Sequence, residues 1–308
     1  DYFDRDIDAV ERPRRPIPSG RVAPRQAAVL GVGLLIGGLV GAGCWWLTSD
    51  AFGVDGLART NYRGAPVVTG VGILIPVTVV LVVAAGRLVI AADDVIVSWD
   101  RLAAGTFVAA AGFCLLGLFD DVAGVGQSGG FRGHVASLRH GRVSSGMLKL
   151  VGGAAVGILT VSVLQQDNGT VVGLLRDGAT VALAANLGNL FDRAPGRATK
   201  FTATLFVVLA AVAATSWLFV PAVAVGAGVG LLAPDLREKA MLGDAGSNVM
   251  GAMCGVAALV AFPAAPARWI VLAVLVGLNL LSEAVSFSDV SDAVAALRWS
   301  DRLGSLRC

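Results

Sequence analysis

Apolar residues run along this chain in long blocks instead of alternating with polar ones. Windows at 27–48, 67–91, 102–118, 147–166, 178–191, 247–264 and 268–283 are nearly free of charge. A hydrocarbon layer about 30 Å thick is crossed by roughly 20 apolar helical residues, so each window predicts a membrane span. A further stretch, 202–234, is too long for one crossing and carries Ser216 and Pro221 near its middle. Proline removes a helix hydrogen bond, so this stretch predicts two helices joined by a tight hairpin. The expected fold is an all-α, polytopic transmembrane bundle of about nine to ten spans, nine by direct count of these windows. Glycines at 33, 37 and 41, and again at 226 and 230, give the four-residue spacing that lets helices approach closely in lipid.

Composition agrees. Of 308 residues, 56% are hydrophobic and only 15% charged, against roughly 25% charged in a soluble domain. A net charge of +2 without basic runs excludes a nucleic-acid partner. Cys44, Cys114, Cys254 and Cys308 are scattered and form neither a zinc spacing nor a disulfide framework. The first residue is Asp1, with no signal peptide before it, so a longer reading frame is expected upstream.

Lys and Arg concentrate on alternate loops: Arg59 and Arg63; Arg132, Arg139 and Arg142; Arg193, Arg197 and Lys200; Arg237 and Lys239; Arg298, Arg302 and Arg307. The positive-inside rule makes these cytoplasmic and predicts a multi-pass plasma-membrane protein with its active side in the cytoplasm. The first 26 residues conflict with this pattern. One crossing separates Arg5, Arg12, Arg14, Arg15, Arg21 and Arg25 from the Arg59 loop. The chain therefore divides into 1–26, read as a remnant or fusion, and a transmembrane domain, 27–308.

Carboxylates that end apolar helices are functional candidates, because polar groups are costly at a membrane boundary. Three such places fall on the arginine-rich side. In Gly117-Leu118-Phe119-Asp120-Asp121, two adjacent acids repel and are best kept beside a cation, either Mg²⁺ or a lysine. In Asn186-Leu187-Gly188-Asn189-Leu190-Phe191-Asp192, polar residues recur every third position, so two amides and an acid can converge on one ligand, or simply cap a helix end. In Leu242-Gly243-Asp244-Ala245-Gly246-Ser247, free amides at a helix start suit an anion and Asp244 suits a metal shared with it, while a turn with an N-cap explains the same residues.

In this order the three motifs resemble the polyprenyl-phosphate N-acetylhexosamine-1-phosphate transferases, the superfamily of phospho-N-acetylmuramoyl-pentapeptide transferase and glycosyltransferase family 4, over about 52–308. Arg59-Thr60-Asn61-Tyr62-Arg63-Gly64 and the run from Ser144 to Leu150 are also similar to it. The resemblance implies Mg²⁺-dependent transfer of a sugar-1-phosphate from a UDP-sugar to a polyprenyl phosphate carrier, in cell-wall or surface-glycan synthesis. It implies Asp120, Asp121 and Asp244 as catalytic residues and Asp244 with Asp121 as metal ligands. It further implies Lys149, Asn186, Asn189 and Asp192 as substrate contacts, with membrane lipids as surroundings and a homodimer left open. The sequence departs from the family at Arg193, where a glycine is usual, and in having only His134 and His140 instead of a late His-rich loop. Those departures leave a non-catalytic lipid-carrier binding protein as one alternative.

A second resemblance lies at the start. Asp1-Tyr2-Phe3-Asp4-Arg5-Asp6-Ile7-Asp8, followed by Arg12-Pro13-Arg14-Arg15-Pro16, is similar to the first aspartate-rich motif of the UbiA-type prenyltransferases over about 1–40. Spacings of three and four put Asp1, Asp4 and Asp8 on one helix face. The resemblance implies an alternative activity, transfer of a prenyl group from a prenyl diphosphate held through Mg²⁺ by these three acids. Asp93 with Asp94, and Asp289 with Asp292, are poor matches for the second acidic motif that this chemistry needs.

Overall fold

A computed structural model describes residues 5–12, 17, 19–20, 22–61, 63–89, 96–123, 145–164, 169–285, 293–294, 298–299, 301 and 303–304. Asp1, Asp4, His134, His140, Asp93, Asp94, Asp289, Asp292 and Cys308 lie outside these residues.

The helices are α1 (Arg5–Glu11), α2 (Pro24–Thr48), α3 (Leu74–Val89), α4 (Ile96–Ala123), α5 (Ser145–Leu164) and α6 (Val171–Leu190), then α7 (Arg197–Ala213), α8 (Phe219–Gly230), α9 (Leu232–Leu236), α10 (Gly243–Ala261) and α11 (Ala265–Ala284). Among the described residues eight helices are long and apolar enough to cross a membrane. The protein is a polytopic all-α membrane protein. The stretch read as a hairpin is one: α7 and α8 flank residues 214–218, where Ala214 turns into the left-handed region at φ 45° and ends α7. Pro221 falls in the first turn of α8, where its missing N–H costs nothing.

Of the nine windows counted, the one that became α7 has 17 residues and falls short of the crossing length the other eight reach, and one further span differs from expectation. The window beginning at 178 starts seven residues earlier, at Val171, and takes Arg176 and Asp177 into the helix. Both are buried, because Asp177 pairs with Arg176 on one carboxylate oxygen and with Arg268 of α11 on the other. A charge that is paired inside the bundle does not mark the end of a span.

The centre of the bundle is α10, buried along most of its length. Glycines make this position tolerable. Gly251 sits against the backbone of Ala184 and Ala185 in α6, and Gly246 against Gly72 ahead of α3. The glycine faces of α2 and α8 meet as their spacing predicts: Gly37 packs on the Val223 backbone and Gly226 on that of Leu34. Gly33 faces Phe219 while Gly41 faces Ala227, so these two helices run parallel.

Pairings of this kind fix which helix ends share a face. Gly152 meets Leu116, Gly188 meets Ser247, and Gly117 meets Asp244. The ends of α4 and α6 therefore lie with the starts of α5 and α10, and the end of α8, which leads through the short α9 into α10, lies there too. On the same face a small antiparallel hairpin, β1 (Ala58–Thr60) and β2 (Pro66–Val68), packs against the chain before α10 through a Val68–Ala240 bridge. Because α2 is parallel to α8, it begins on the opposite face. The two faces are separated by the 25 residues of α2, about 37 Å of helix. The sidedness conflict noted for residues 1–26 is thus present in the structure.

Candidate functional site

Asp120 and Asp121 occupy the last turn of α4, and Asp244 the first turn of α10. What brings them together is Gly117: a Cβ there would collide with the Asp244 carbonyl, so only glycine permits the two helices to touch. Gly243, at φ +69°, makes the left-handed turn into α10, with Asp121 and Thr69 packed where a side chain would stand.

The acids have different surroundings. Asp121 accepts the Asp244 and Ala245 N–H groups on its two carboxylate oxygens, both at 3.1 Å, and the Thr69 hydroxyl at 3.4 Å. It therefore caps the start of α10 from another helix, satisfying amides that a helix N-terminus leaves open. Arg59 donates to the Asp121 carbonyl and, at 2.7 Å, to that of Ala58, tying the hairpin to the end of α4. Lys149, in the first turns of α5, bridges the other two acids. Its ammonium lies 3.3 Å from Asp120 Oδ2 and in direct contact with Asp244 Oδ2.

Asn189 donates to Asp244 Oδ2 at 3.1 Å and accepts from the Ser247 hydroxyl at 3.4 Å. Asn248 holds the Asp244 carbonyl at 2.7 Å. Asp192 lies half-buried in the turn after α6. Burial raises its pKa well above the usual carboxylate range, and the neighbouring charges of Asp235, Asp244 and Asp121 push it further.

Four of the acids and amides expected at this site thus meet around Lys149: Asp120, Asp121, Asn189 and Asp244, with Asp192 close enough to feel their charge. Asn186 does not join them. It donates to Asn279 Oδ1 of α11 at 2.7 Å, because three residues of helix rotate it onto the neighbouring face. Sequence reasoning missed Thr69 and Asn248. Nothing in the local pattern distinguishes Thr69 from other helix-flanking threonines, whereas Asn248 could have been found as one helical turn beyond Asp244.

Two carboxylates, Asp120 and Asp244, contact the one ammonium, and Asp121 and Asp192 add charge nearby, an excess of negative charge that suits a divalent cation. The donors are all hard oxygens, as Mg²⁺ prefers. Among the described residues no group of three or more His, Cys, Asp or Glu side chains is placed to hold a metal ion. The facing pair Asp120 and Asp244 instead fits the open arrangement in which Mg²⁺ takes one or two carboxylates and finds its other ligands in water and phosphate. Gly188, the residue before Asn189, reaches the wall of an apolar cavity of about 320 Å³ between α6, α7, α10 and α11, lined also by Leu187, Phe201, Leu205, Cys254 and Leu278.

The model of the UbiA prenyltransferase family matches residues 1–59. Digeranylgeranylglyceryl phosphate synthase of Methanothrix thermoacetophila is 63% identical over 43 residues, 14% of this chain and 16% of that protein. The enzyme of the same name from Methanopyrus kandleri is 64% identical over 33 residues, 11% of this chain and 12% of that protein. That of Ignicoccus hospitalis is 39% identical over 71 residues, 23% of each chain. The chain thus spans between about a tenth and a quarter of the curated relatives it matches.

These similarities correct the expectation drawn from the three helix-end motifs. They point to prenyl transfer, and not to a glycosyltransferase family 4 enzyme passing a sugar-1-phosphate from a UDP-sugar in cell-wall synthesis. The physical reason for the misreading is that those motifs are short. Paired acids, amides and a glycine-flanked aspartate are what any membrane enzyme needs to hold a phosphate and a cation, so they identify the chemistry of a head group and not its owner.

Proposed function

We propose that this chain is an integral-membrane, Mg²⁺-dependent prenyltransferase that draws on a prenyl diphosphate donor. The acceptor class, by analogy with the relatives' name, is a glyceryl phosphate with a free hydroxyl. The observation that carries the placement of the donor is Lys149 held between Asp120 and Asp244 where the end of α4 meets the starts of α5 and α10. A diphosphate entering there replaces the carboxylates as partner of the Lys149 ammonium, while Asn189 offers its amide to a phosphate oxygen. Asp120 and Asp244, released from the lysine, would hold Mg²⁺. The bound ion supplies charge neutralisation of the diphosphate as a leaving group.

Asp121, which accepts two amides of α10, keeps Asp244 in register and is a positioning residue. The neighbouring apolar cavity takes the isoprenoid tail and excludes water from the reacting carbon. In the transfer, the acceptor oxygen bonds to the prenyl C1 as the C1–O bond to diphosphate breaks, and the hydroxyl proton leaves with the diphosphate. The loop bias in Lys and Arg supports a cytoplasmic position for this face.

A second placement has its own observation. Asp8, within the matched segment, is buried in α1, and the D-x-x-D-x-x-x-D pattern with Asp1 and Asp4 is the one shared with prenyltransferases. The chain leads from α1 into α2 on the face opposite the Lys149 cluster, so one head group is served by one placement only.

The test is transfer of labelled geranylgeranyl groups from the diphosphate to geranylgeranylglyceryl phosphate in membranes carrying the full chain. Transfer is expected to require Mg²⁺ and to fall at least about 100-fold in Asp244→Asn and Lys149→Met, with Asp8→Asn near wild type. Loss in Asp8→Asn with full turnover in Asp244→Asn would move the donor to the first acidic motif. No transfer by the wild-type chain would overturn the reading.

A further inference from the structure

The face opposite the Lys149 cluster carries a group of charges that the proposed reaction leaves unused. Asp177 is fully buried and accepts Arg176 Nε and Arg268 Nη1, each at 2.6 Å. Arg268 is otherwise satisfied: its Nε and Nη2 donate to the carbonyls of Phe262 and Leu259, both at 3.1 Å, closing the end of α10. Arg176 is not. It is only 9% exposed and its guanidinium stands 5.7 Å from the centre of the Trp269 ring. Apart from the Nε bond to Asp177, its terminal nitrogens meet no acceptor among the described residues.

Among the described residues two guanidinium groups face one carboxylate, a surplus of positive charge near the starts of α6 and α11. Asp177 compensates only one of the two charges it bonds, and at the end of a membrane span an anionic head group is a counter-ion within reach of the other. Tryptophan beside it is the side chain enriched at head-group depth, where its ring is half in lipid and half in water. Arginine is also the side chain best matched to phosphate, because its planar fork donates two parallel hydrogen bonds.

We infer that Arg176, supported by the Asp177–Arg268 pair and by Trp269, binds the phosphate of an anionic phospholipid in the leaflet opposite the Lys149 cluster. Asp177 orients the guanidinium through Nε and leaves the Nη edge for the lipid. Trp269 covers its face and supplies the wall along which the acyl chains descend beside α11. The bound lipid would tie α6 to α11 at the far end of the bundle. This inference is independent of where the prenyl diphosphate sits.

The test uses the purified full chain in a neutral detergent, with thermal unfolding and native mass spectrometry as readouts. Dioleoyl phosphatidylglycerol, but not dioleoyl phosphatidylcholine, is expected to raise the melting temperature and to remain bound as one retained lipid. Arg176→Gln removes the surplus charge and leaves the neutral Asp177–Arg268 pair intact. It should weaken phosphatidylglycerol binding about tenfold or more, as the loss of a charge-assisted hydrogen bond does. Arg176→Lys should weaken it less. Equal retention of both lipids by the wild type, or an unchanged phosphatidylglycerol effect in Arg176→Gln, would overturn the inference. So would an equal effect of inorganic phosphate, which would assign the site to the free ion.

Discussion

The turn that carries Asp192 is held from behind by the end of the chain, and the strength of that clasp can be worked out. Arg197, first residue of α7, meets Asp301 through Nε at 3.0 and 2.9 Å and through Nη2 at 2.6 Å. Their side chains are 6% and 8% exposed, so this is a buried pair and not a surface one. Lys200 adds bonds to the carbonyls of Asp301 and Leu303, the latter at 2.8 Å. Removing one partner of such a pair leaves a buried charge uncompensated, at a cost of about 3–5 kcal/mol. Asp301→Leu or Arg197→Met alone should therefore destabilise by about that amount. The double variant replaces the pair with apolar volume and should return to within roughly 1 kcal/mol of wild type.

The assay is chemical denaturation of the four proteins in one detergent, followed through tertiary fluorescence. The single costs should exceed the double by about 2 kcal/mol or more, as residues in direct contact do. Singles that cost less than about 1 kcal/mol, or that simply add in the double variant, would refute the reasoning, because exposed pairs behave that way.

Two other variants probe the acid cluster. Gly117→Val forces α4 away from the Asp244 carbonyl, so it should cost about 1–3 kcal/mol by overpacking and abolish Mg²⁺-dependent transfer while helical content by circular dichroism stays at the wild-type level. Asp192 has a pKa raised by burial and by Asp235, Asp244 and Asp121, so the folded state binds its proton more tightly than the unfolded state does. Its stabilising contribution is present at low pH and is lost as pH rises through the raised value. The melting temperature of wild type relative to Asp192→Asn should then fall steadily from acid to alkaline pH, and a flat or rising difference would count against the assignment.

Much of the architecture was legible because lipid imposes a simple rule: apolar windows of the right length became helices, and the glycine faces of α2 and α8 met as their spacing implied. The rule failed at Arg176 and Asp177. The second partner of Asp177, Arg268, lies 91 positions further on, so no local window shows how the charges are satisfied. The convergence of Asp120, Asp121 and Asp244 was likewise readable, since acids on alternate loops share a face. The partition of their roles was not. That Asp121 caps α10 while Asp120 and Asp244 share Lys149 depends on how closely Gly117 lets two helices approach. Asn186 shows the limit of periodicity, which gives the angle of a side chain but not the neighbour at that angle. The family was misread for a related reason, because the helix-end motifs record what binds a phosphate, whereas the similarity that points to prenyl transfer lies in the first 59 residues.

The central claim is that the Lys149 cluster holds a divalent ion together with a prenyl diphosphate. Calorimetric titration of the purified full chain with geranylgeranyl thiolodiphosphate, with and without Mg²⁺, tests it directly. The account predicts binding that needs Mg²⁺, is weakened about 100-fold or more by Asp244→Asn, and is unaffected by Asp8→Asn. Binding of equal strength in Asp244→Asn and wild type would contradict it.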